Sequence, residues 1–589
     1  MAALSTVSLM GKVRLALRPV RKWEISRLRF SPKTLNDLEA NLMAMNGILE
    51  PTRLVPVTTI DSDGNLRART ALSPKANTTR ASIAVPPNKI IPVIVIAGIM
   101  GSNLRARTSG ATKNQELKPG EAAWRPPNGK KAGLSEASKW SKRTPDVRQK
   151  ILDADTLEVD PSGDIADIPA RSSEDTCRVR GWGEIHSDSY GGLLSTLEEN
   201  LNSTLKVSSN SVELESAWED INDFDRGAWG APSGGIEAAI TVDELKKIAG
   251  YYYPVYAFGY NWLQSNEMSA ARLKERIESI IASWVGTKHP CTKVMLVTHS
   301  MGGIVARACA RKIPEKIAGI VHGVMPALGA PACYRRLACG TESSSPGKGK
   351  LELYAMEKFA EIAGATADET TPVLALSPGP LELLPTHLHP TWLFARIKLP
   401  KDPYSVELNF PDRNPYKFYK DFECWYRAIN LALADPAGKF KGAVEEKVVG
   451  SVSQAEKFHT TLLDTYYHPN TAAFYCADPQ QLSFGSYQWI AASSKAVAPP
   501  HLQIGTVISH TFGGGRNVSI VKGPMLFFEP GVQDAAGDGT VPTSSGQAPT
   551  GRVLHTFRTV GYDHQGAYKN KAMLALTQHL IVKLLQKVI

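Results

Sequence analysis

The chain lacks any apolar run long enough to cross a bilayer. Its longest, "IIPVIVIAGIM" from Ile90 to Met100, covers eleven residues, whereas a spanning helix needs about 20. Bounded by polar loops, it reads as a buried strand. Cysteine is scarce and scattered: seven in 589 residues, with no CxxC and no Cys/His spacing for zinc. Structural zinc is therefore not expected. The odd count leaves at least one thiol unless chains cross-link; Cys333 with Cys339 and Cys424 with Cys476 are the pairs that could bridge, and nothing demands either. Acid is missing from the first 23 residues, which carry Lys12, Arg14, Arg18, Arg21 and Lys22. A secretory signal places its charge ahead of the apolar core and ends in a small-residue cleavage site. Here the charge follows, so a basic arm docking on the protein or on a membrane surface is favoured over an organelle transit peptide. A nucleic-acid motif is also missing. The net charge of +10 then points to anionic lipid or an acidic protein rather than nucleic acid, with solvated charge and no partner an equal alternative.

What is present is an ordinary globular composition, 43% hydrophobic and 21% charged, which excludes disordered and fibrous classes. No internal repeat is found. Residues 1–90 form an N-terminal region ending in the Pro-rich "VPPNK". The strand Val93–Ala97 follows, then a polar stretch, "TSGATKNQELKPGEAAWRPPNGKKAG", read as an extended loop or an insertion, the polar insertion spanning about 105–180. From there strands and helices alternate. "VYAFGY" and "KVMLV" have strand character, and "SAARLKERIESIIASW" has apolar residues at helical spacing. "GGIVARACARK" reads as a helix and "KIAGIVHGV" as another strand. The rhythm breaks over 340–530, rich in Pro and aromatics, and returns at Phe557–Val560 and a final helix from Lys571. Alternation of this kind predicts an α/β fold with a mostly parallel sheet. The core then spans 91–339 and 531–589, with 340–530 inserted as a cap or lid.

Chemistry concentrates in four segments. In "VTHSMGG" a strand runs into His299-Ser300-Met301 and a helix starts at Gly302, a setting that holds an exposed nucleophilic serine in a sharp turn. The usual pattern is G-x-S-x-G, and Thr298 stands where its first Gly would be. In "IAGIMGSNL" the turn after the first strand aims a backbone N–H at a developing oxyanion. Ile99 is assigned as that donor, with Met100 the alternative, and Met301 supplies the second. In "AAGDGTVPTSSG" Asp538 lies between glycines at a strand end, as the triad acid requires; nearby Asp534 lacks that setting. His564, between the strand Phe557–Val560 and the last helix, completes the order Ser, Asp, His. His555 precedes the strand and His579 lies within the helix, and both read better as surface or core histidines. Ser300, His564 and Asp538 make an acyl-enzyme mechanism that needs no cofactor or metal. The acids show no EF-hand spacing, and a structural calcium in a loop is left open.

The segments "PVIVIAGIMGSNL", "RGWGEIHSDSYGGLL", "YPVYAFGYNWLQSN", "VTHSMGG", "LSPGPLELLPT" and "GDGTVP" resemble the lecithin:cholesterol acyltransferase and lipase superfamily. Within it they are most similar to the Tle4-like type VI secretion lipase effectors, related to GPI-inositol deacylase proteins. The resemblance covers Ile91 to the C-terminus with gaps. It implies hydrolysis of phospholipid or another lipid ester, lids over the site, and, for an effector, a cognate immunity protein. It also implies synthesis in the cytoplasm and delivery by the type VI system to a target cell's periplasm. It places the triad on Ser300, Asp538 and His564 and the oxyanion donors on Ile99 and Met301. Two other outcomes are compatible with the same residues: an acyltransferase passing the acyl group to an alcohol, and a non-catalytic membrane- or partner-binding protein on the same fold.

Overall fold

The computed structural model describes residues 87 and 89–589, apart from breaks at 111, 208–211, 232–236, 286, 288, 401, 411–413 and 495–496, together with four short strands between 52 and 83. The basic arm lies outside the described residues. The chain divides into two compact units, Met1–Val57 with Ala68–Val85, and Thr58–Arg67 with Pro86–Ile589. In the first, Thr52–Val55 pairs in parallel with Arg80–Ile83. All that follows concerns the second.

Its centre is a six-stranded sheet of β1 (Val93–Ile96), β2 (Val255–Phe258), β3 (Val294–His299), β4 (Ile317–Gly323), β5 (Thr471–Cys476) and β6 (His555–Thr559). The spatial order is β2-β1-β3-β4-β5-β6, and every neighbouring pair is parallel. Parallel strands need crossovers, which place helices on both faces and bury both sides of each strand. The sequence obeys: β1, β3, β4 and β5 are buried at every residue. Six helices matter below: α1 (Lys130–Trp140), α2 (Ser187–Leu201), α3 (Asn266–Ser283), α4 (Met301–Lys312), α5 (Lys350–Ala363) and α6 (Lys571–Leu585). Val93, Val95, Met295 and Val297 face one core, with Leu193 and Leu197 of α2 and Leu576 and Leu580 of α6. Ile94, Ile96, Val294 and Leu296 face the other, with Leu273 and Ile277 of α3 and Ile304 and Val305 of α4. Among the described residues no helix is long and apolar enough to cross a membrane, and none of the seven cysteines is in a disulfide.

Two expectations need correction. The polar stretch over 108–133 is not an open loop: Ala122–Trp124 joins a three-stranded sheet with Leu104–Ala106 and Leu157–Val159, and α1 begins at Lys130. Two buried tryptophans, Trp124 and Trp140, anchor it, their rings 5.7 Å apart. The second concerns 340–530, read as one uninterrupted insertion. It does build a second six-stranded sheet, whose strands include Leu393–Leu399, Tyr487–Ala492 and Arg516–Ile520, over its own core of Trp392, Trp425, Trp489 and Phe528. But β5, inside that range, is a strand of the central sheet between β4 and β6. "TAAFYC" is buried on both faces, so it shows no polar alternation to mark it as a strand.

Where α4 crosses the end of β1 the two backbones nearly touch. A Cβ on Gly302 would lie 2.5 Å from the Ala97 carbonyl oxygen and 2.7 Å from that of Ile96, and backbone cannot give way. On exposed Gly192 of α2 a Cβ would meet nothing within 4 Å. Gly302→Ala should therefore destabilise by about 1–3 kcal/mol or more, while Gly192→Ala should stabilise by about 0.4–1 kcal/mol through the unfolded chain. Urea unfolding of both variants checks this; equal effects would contradict the packing described.

Candidate active site

β3 ends at His299 and α4 begins at Met301, leaving Ser300 alone to make the turn. Its backbone is at φ 54°, ψ −126°, a region that L side chains avoid and that costs on the order of 1–3 kcal/mol. The surroundings hold it there. The Ser300 N–H donates to the Gly323 carbonyl at 3.0 Å, and the Ser300 carbonyl accepts from the Gly303 N–H at 2.9 Å. Thr298, at the position usually taken by glycine, is fully buried. Its hydroxyl pairs with His322 Nδ1 at 2.9 Å, and its carbonyl accepts from the Tyr568 hydroxyl at 2.8 Å. The polar atoms that a threonine brings into this corner are thus satisfied, and the turn survives the departure from glycine.

The turn after the short strand Ala535–Gly537 and the loop after β6 bring two more groups to the serine. His564 Nε2 lies 2.8 Å from Ser300 Oγ, and His564 Nδ1 lies 2.7 Å from Asp538 Oδ2. A carboxylate oxygen only accepts, so Nδ1 carries the proton and Nε2 is free to accept from the serine hydroxyl. Asp538 is 1% exposed, yet its other oxygen accepts from the N–H groups of Thr540 at 2.9 Å and Val541 at 2.6 Å. Those two bonds satisfy this oxygen where water does not reach. The His564 N–H also donates to the Asp538 carbonyl at 2.7 Å, which locks the two loops together. Ser300 is 3% exposed, so the line Asp538–His564–Ser300 ends at a covered hydroxyl.

The turn after β1 is Gly98–Gly101, closed by the Gly101 N–H on the Gly98 carbonyl at 3.1 Å. Ile99 and Met100 are its two central residues, and neither N–H takes part in that closure. Met100 has φ 61°. A Cβ on Gly98 would fall 2.9 Å from Ser300 Cβ, so the turn is pressed against the serine. Met301, the first residue of α4, has an N–H with no intrahelical partner. The structure thus brings Ile99, Met100 and Met301 to the same side of the fold as Ser300, Asp538 and His564. Asp534 does something else: it caps a turn, accepting from the N–H groups of Gly485 at 2.8 Å and Ser486 at 3.1 Å. His555 is the first residue of β6, and His579 is fully buried in α6.

Two residues without an assigned role in the sequence complete the site. The Gly98 N–H donates to the Tyr190 hydroxyl oxygen at 3.0 Å, and Tyr190 lies 3.0 Å from His299 Nδ1. His299 Nε2 lies 2.8 Å from the His564 carbonyl. Because that carbonyl only accepts, His299 Nε2 is the protonated nitrogen, and the Tyr190 hydroxyl must donate to Nδ1. One directed chain therefore runs from the turn after β1, through the residue before Ser300, to the backbone of His564. Burial first, then the neighbouring His564, lowers the His299 pKa to about 3, so the link stays neutral. Tyr190 stood in the quoted "HSDSYGG" segment, but a buried tyrosine reads as core until its hydroxyl's partners are seen. Among the described residues no cluster of three or more His, Cys, Asp or Glu could hold a metal ion.

A strained serine elbow at the end of a central parallel strand, with acid and base on later loops, defines an α/β-hydrolase fold. Residues 262–339 match the model of the family described as "PGAP1-like alpha/beta domain". The solved structure titled "The crystal structure of Tle4-Tli4 complex" superposes with a TM-score of 0.68 at 29% identity, covering 84% of this chain and 98% of that one. No curated protein sequence matches. The resemblance read from the sequence, to Tle4-like lipase effectors related to GPI-inositol deacylase proteins, is borne out by the PGAP1-like domain and the Tle4 structure.

Burial also makes the fold acid-sensitive. Desolvation lowers His322 and His579 to about 3 and His459 to about 4, alongside His299. As pH falls below about 6.5 the unfolded chain takes up protons that these four folded sites refuse, so each costs about 1.4 kcal/mol of stability per pH unit. Glu382 works the other way: burial raises it to about 8, so between about 4.5 and 8 the folded state gains as pH falls. Four groups outweigh one. The melting temperature should fall clearly between pH 7 and pH 5, read by circular dichroism; a flat or rising profile would contradict this.

Proposed function

We propose that the protein is a serine lipid-ester hydrolase, a phospholipase or lipase, acting as an antibacterial type VI secretion effector on membrane phospholipids. The observation that carries the reading is the hydrogen-bonded line from Asp538 through His564 to Ser300, at 2.7 and 2.8 Å. On this reading His564 Nε2 takes the Ser300 proton as Oγ attacks the ester carbonyl. Asp538 keeps the imidazole in the tautomer that allows this and stabilises the imidazolium. The N–H groups of Ile99 and Met301 hold the oxyanion. His564 then returns the proton to the leaving alcohol, and a water, activated in turn by His564, hydrolyses the acyl-enzyme. The buried Ser300 fits a cap that excludes water until a lipid arrives, with the second sheet and its helices over 340–530, β5 apart, as that cap. The similarity to Tle4, solved in a complex with Tli4, supports the effector role and a dedicated immunity protein as partner. Delivery from the producing cell's cytoplasm to a target periplasm belongs to the same proposal.

Incubating the purified protein with a defined phospholipid panel, with and without an acceptor alcohol, and identifying products by mass spectrometry tests the reaction. Free fatty acid is expected in both arms; acyl transfer to the alcohol as the main product would instead make it an acyltransferase. In the same assay Ser300→Ala should lower turnover on the order of 10⁶-fold. Asp538→Asn should lower it by about 10⁴-fold, because the wrong tautomer is then favoured. Asp534→Asn should leave it near wild type, and the reverse ranking of the two aspartates would overturn the acid assignment. Tyr190→Phe, which strands the Gly98 N–H and His299 Nδ1, should reduce kcat by about tenfold or more with KM little changed, the pattern of a loss felt in the transition state.

In a bacterial host, production in the cytoplasm should be tolerated. Directed to the periplasm, the protein should be toxic unless its partner is co-produced. Equal harmlessness in both compartments would count against the effector role.

A further inference from the structure

Large exposed apolar side chains are usually scattered singly over a protein surface. Here four of them fall on two helices that pack against each other, α1 and α5. On α5, Leu351 is 76% exposed, with Tyr354 at 48% and Phe359 at 39%; on α1, Leu134 is 45% exposed. Leu351 lies three residues from Tyr354 and four from exposed Ala355, which lies four from Phe359, spacings that place them on one helix face. That face points away from the core.

The charge around it is predominantly positive: α5 carries Lys350 and Lys358 beside Glu352, Glu357 and Glu361, and α1 tips the balance. α1 and the turn after it carry Lys130, Lys131, Lys139, Lys142 and Arg143 against a single acid, Glu136. The four lysines are exposed. A helix pair with an apolar stripe beside flexible cations is what lies in the headgroup layer of an anionic bilayer: the stripe enters the acyl boundary and the lysines reach the phosphates.

The same pair is tied by direct contacts to the turn beside the reacting serine. The Arg148 guanidinium donates to the Trp140 carbonyl at 2.8 Å, to Glu361 at 2.7 Å and to Ile362 at 3.0 Å, binding the C-terminal ends of α1 and α5 together. The Trp140 ring, at the end of α1, packs on Trp124 at 5.7 Å. The Trp124 indole N–H donates to the Met100 carbonyl at 2.8 Å, inside the turn pressed against Ser300. Two indole rings are all that separate this surface from the turn.

We propose that α1 and α5 together form the face by which the protein docks on an anionic phospholipid surface, with the Trp140–Trp124 contact joining that face to the turn beside Ser300. The proposal takes its purpose from the lipid-ester reading, but binding is measurable without turnover. The probe is a flotation assay of the Ser300→Ala protein with vesicles of phosphatidylglycerol and phosphatidylcholine in equal parts, and with vesicles of phosphatidylcholine alone. Binding to the anionic vesicles is expected, weakened by salt. Combining Leu351→Glu, Tyr354→Glu and Phe359→Glu should weaken it by about tenfold or more. In the Ser300 protein the same three changes should leave turnover of a soluble short-chain ester within about twofold, since these side chains are exposed on the outer face of α5 and contact neither the triad nor the turn beside it. Should the triple variant fail to fold, Lys130→Glu with Lys131→Glu, at exposed positions, should weaken anionic-vesicle binding in the same direction. Unchanged vesicle binding, as for a face built to take a protein partner, would overturn the proposal. So would parallel loss of soluble-ester turnover, or absence of binding by the parent protein. Vesicle binding without any hydrolysis by the Ser300 form would instead sink the lipid-ester reading and leave the docking face standing.

Discussion

Everything in this structure depends on holding Ser300 in a backbone conformation it would not choose. At φ 54° the residue stores strain, and strain persists only where the surroundings over-determine it. Three elements meet there with no spare volume. Gly302 lets α4 approach the backbone of β1, and Gly98 lets the turn after β1 lie against the serine side chain. Three tyrosines then fasten the corners: Tyr260 to the Ala97 carbonyl at 3.0 Å, Tyr190 to the Gly98 N–H, and Tyr568 to the Thr298 carbonyl. All three are buried, where an unmade hydrogen bond is expensive. The corner is therefore rigid for the same reason that it is well satisfied.

This rigidity has a chemical consequence. The turn carrying Ile99 and Met100 and the backbone of His564 are joined by one continuous set of hydrogen bonds through Tyr190 and His299, the residue before Ser300. A group that must accept a proton and a group that must receive a developing charge need fixed relative positions, and pre-organised dipoles contribute most where water is excluded. His299, though adjacent to the serine, is suited to holding rather than to proton transfer. Both its nitrogens are committed, and burial keeps it neutral.

Much of this was legible in the sequence. The central strands announced themselves by unbroken apolar runs, because each lies between two cores, and the helices by 3.6-residue spacing, because each packs one face on a single core. Ser300, Asp538 and His564 stood out because glycine-rich turns after strands leave a recognisable local pattern, and the structure brings the three within hydrogen-bond reach. What stayed hidden depended on distant partners. β5 is a strand only because β4 and β6 flank it. Tyr190 and His299 gain their roles from atoms 92 to 265 positions away. The polar stretch before α1 folds because Trp124 meets Trp140, a pairing that composition averages do not reveal.

The central claim is that Ser300 alone is activated, by His564. Reacting the intact protein with a fluorophosphonate and mapping the adduct by mass spectrometry tests this directly. The account predicts a single adduct on Ser300, formed far more slowly in His564→Ala. An adduct on any other residue, no adduct at all, or an unchanged rate in His564→Ala would contradict it.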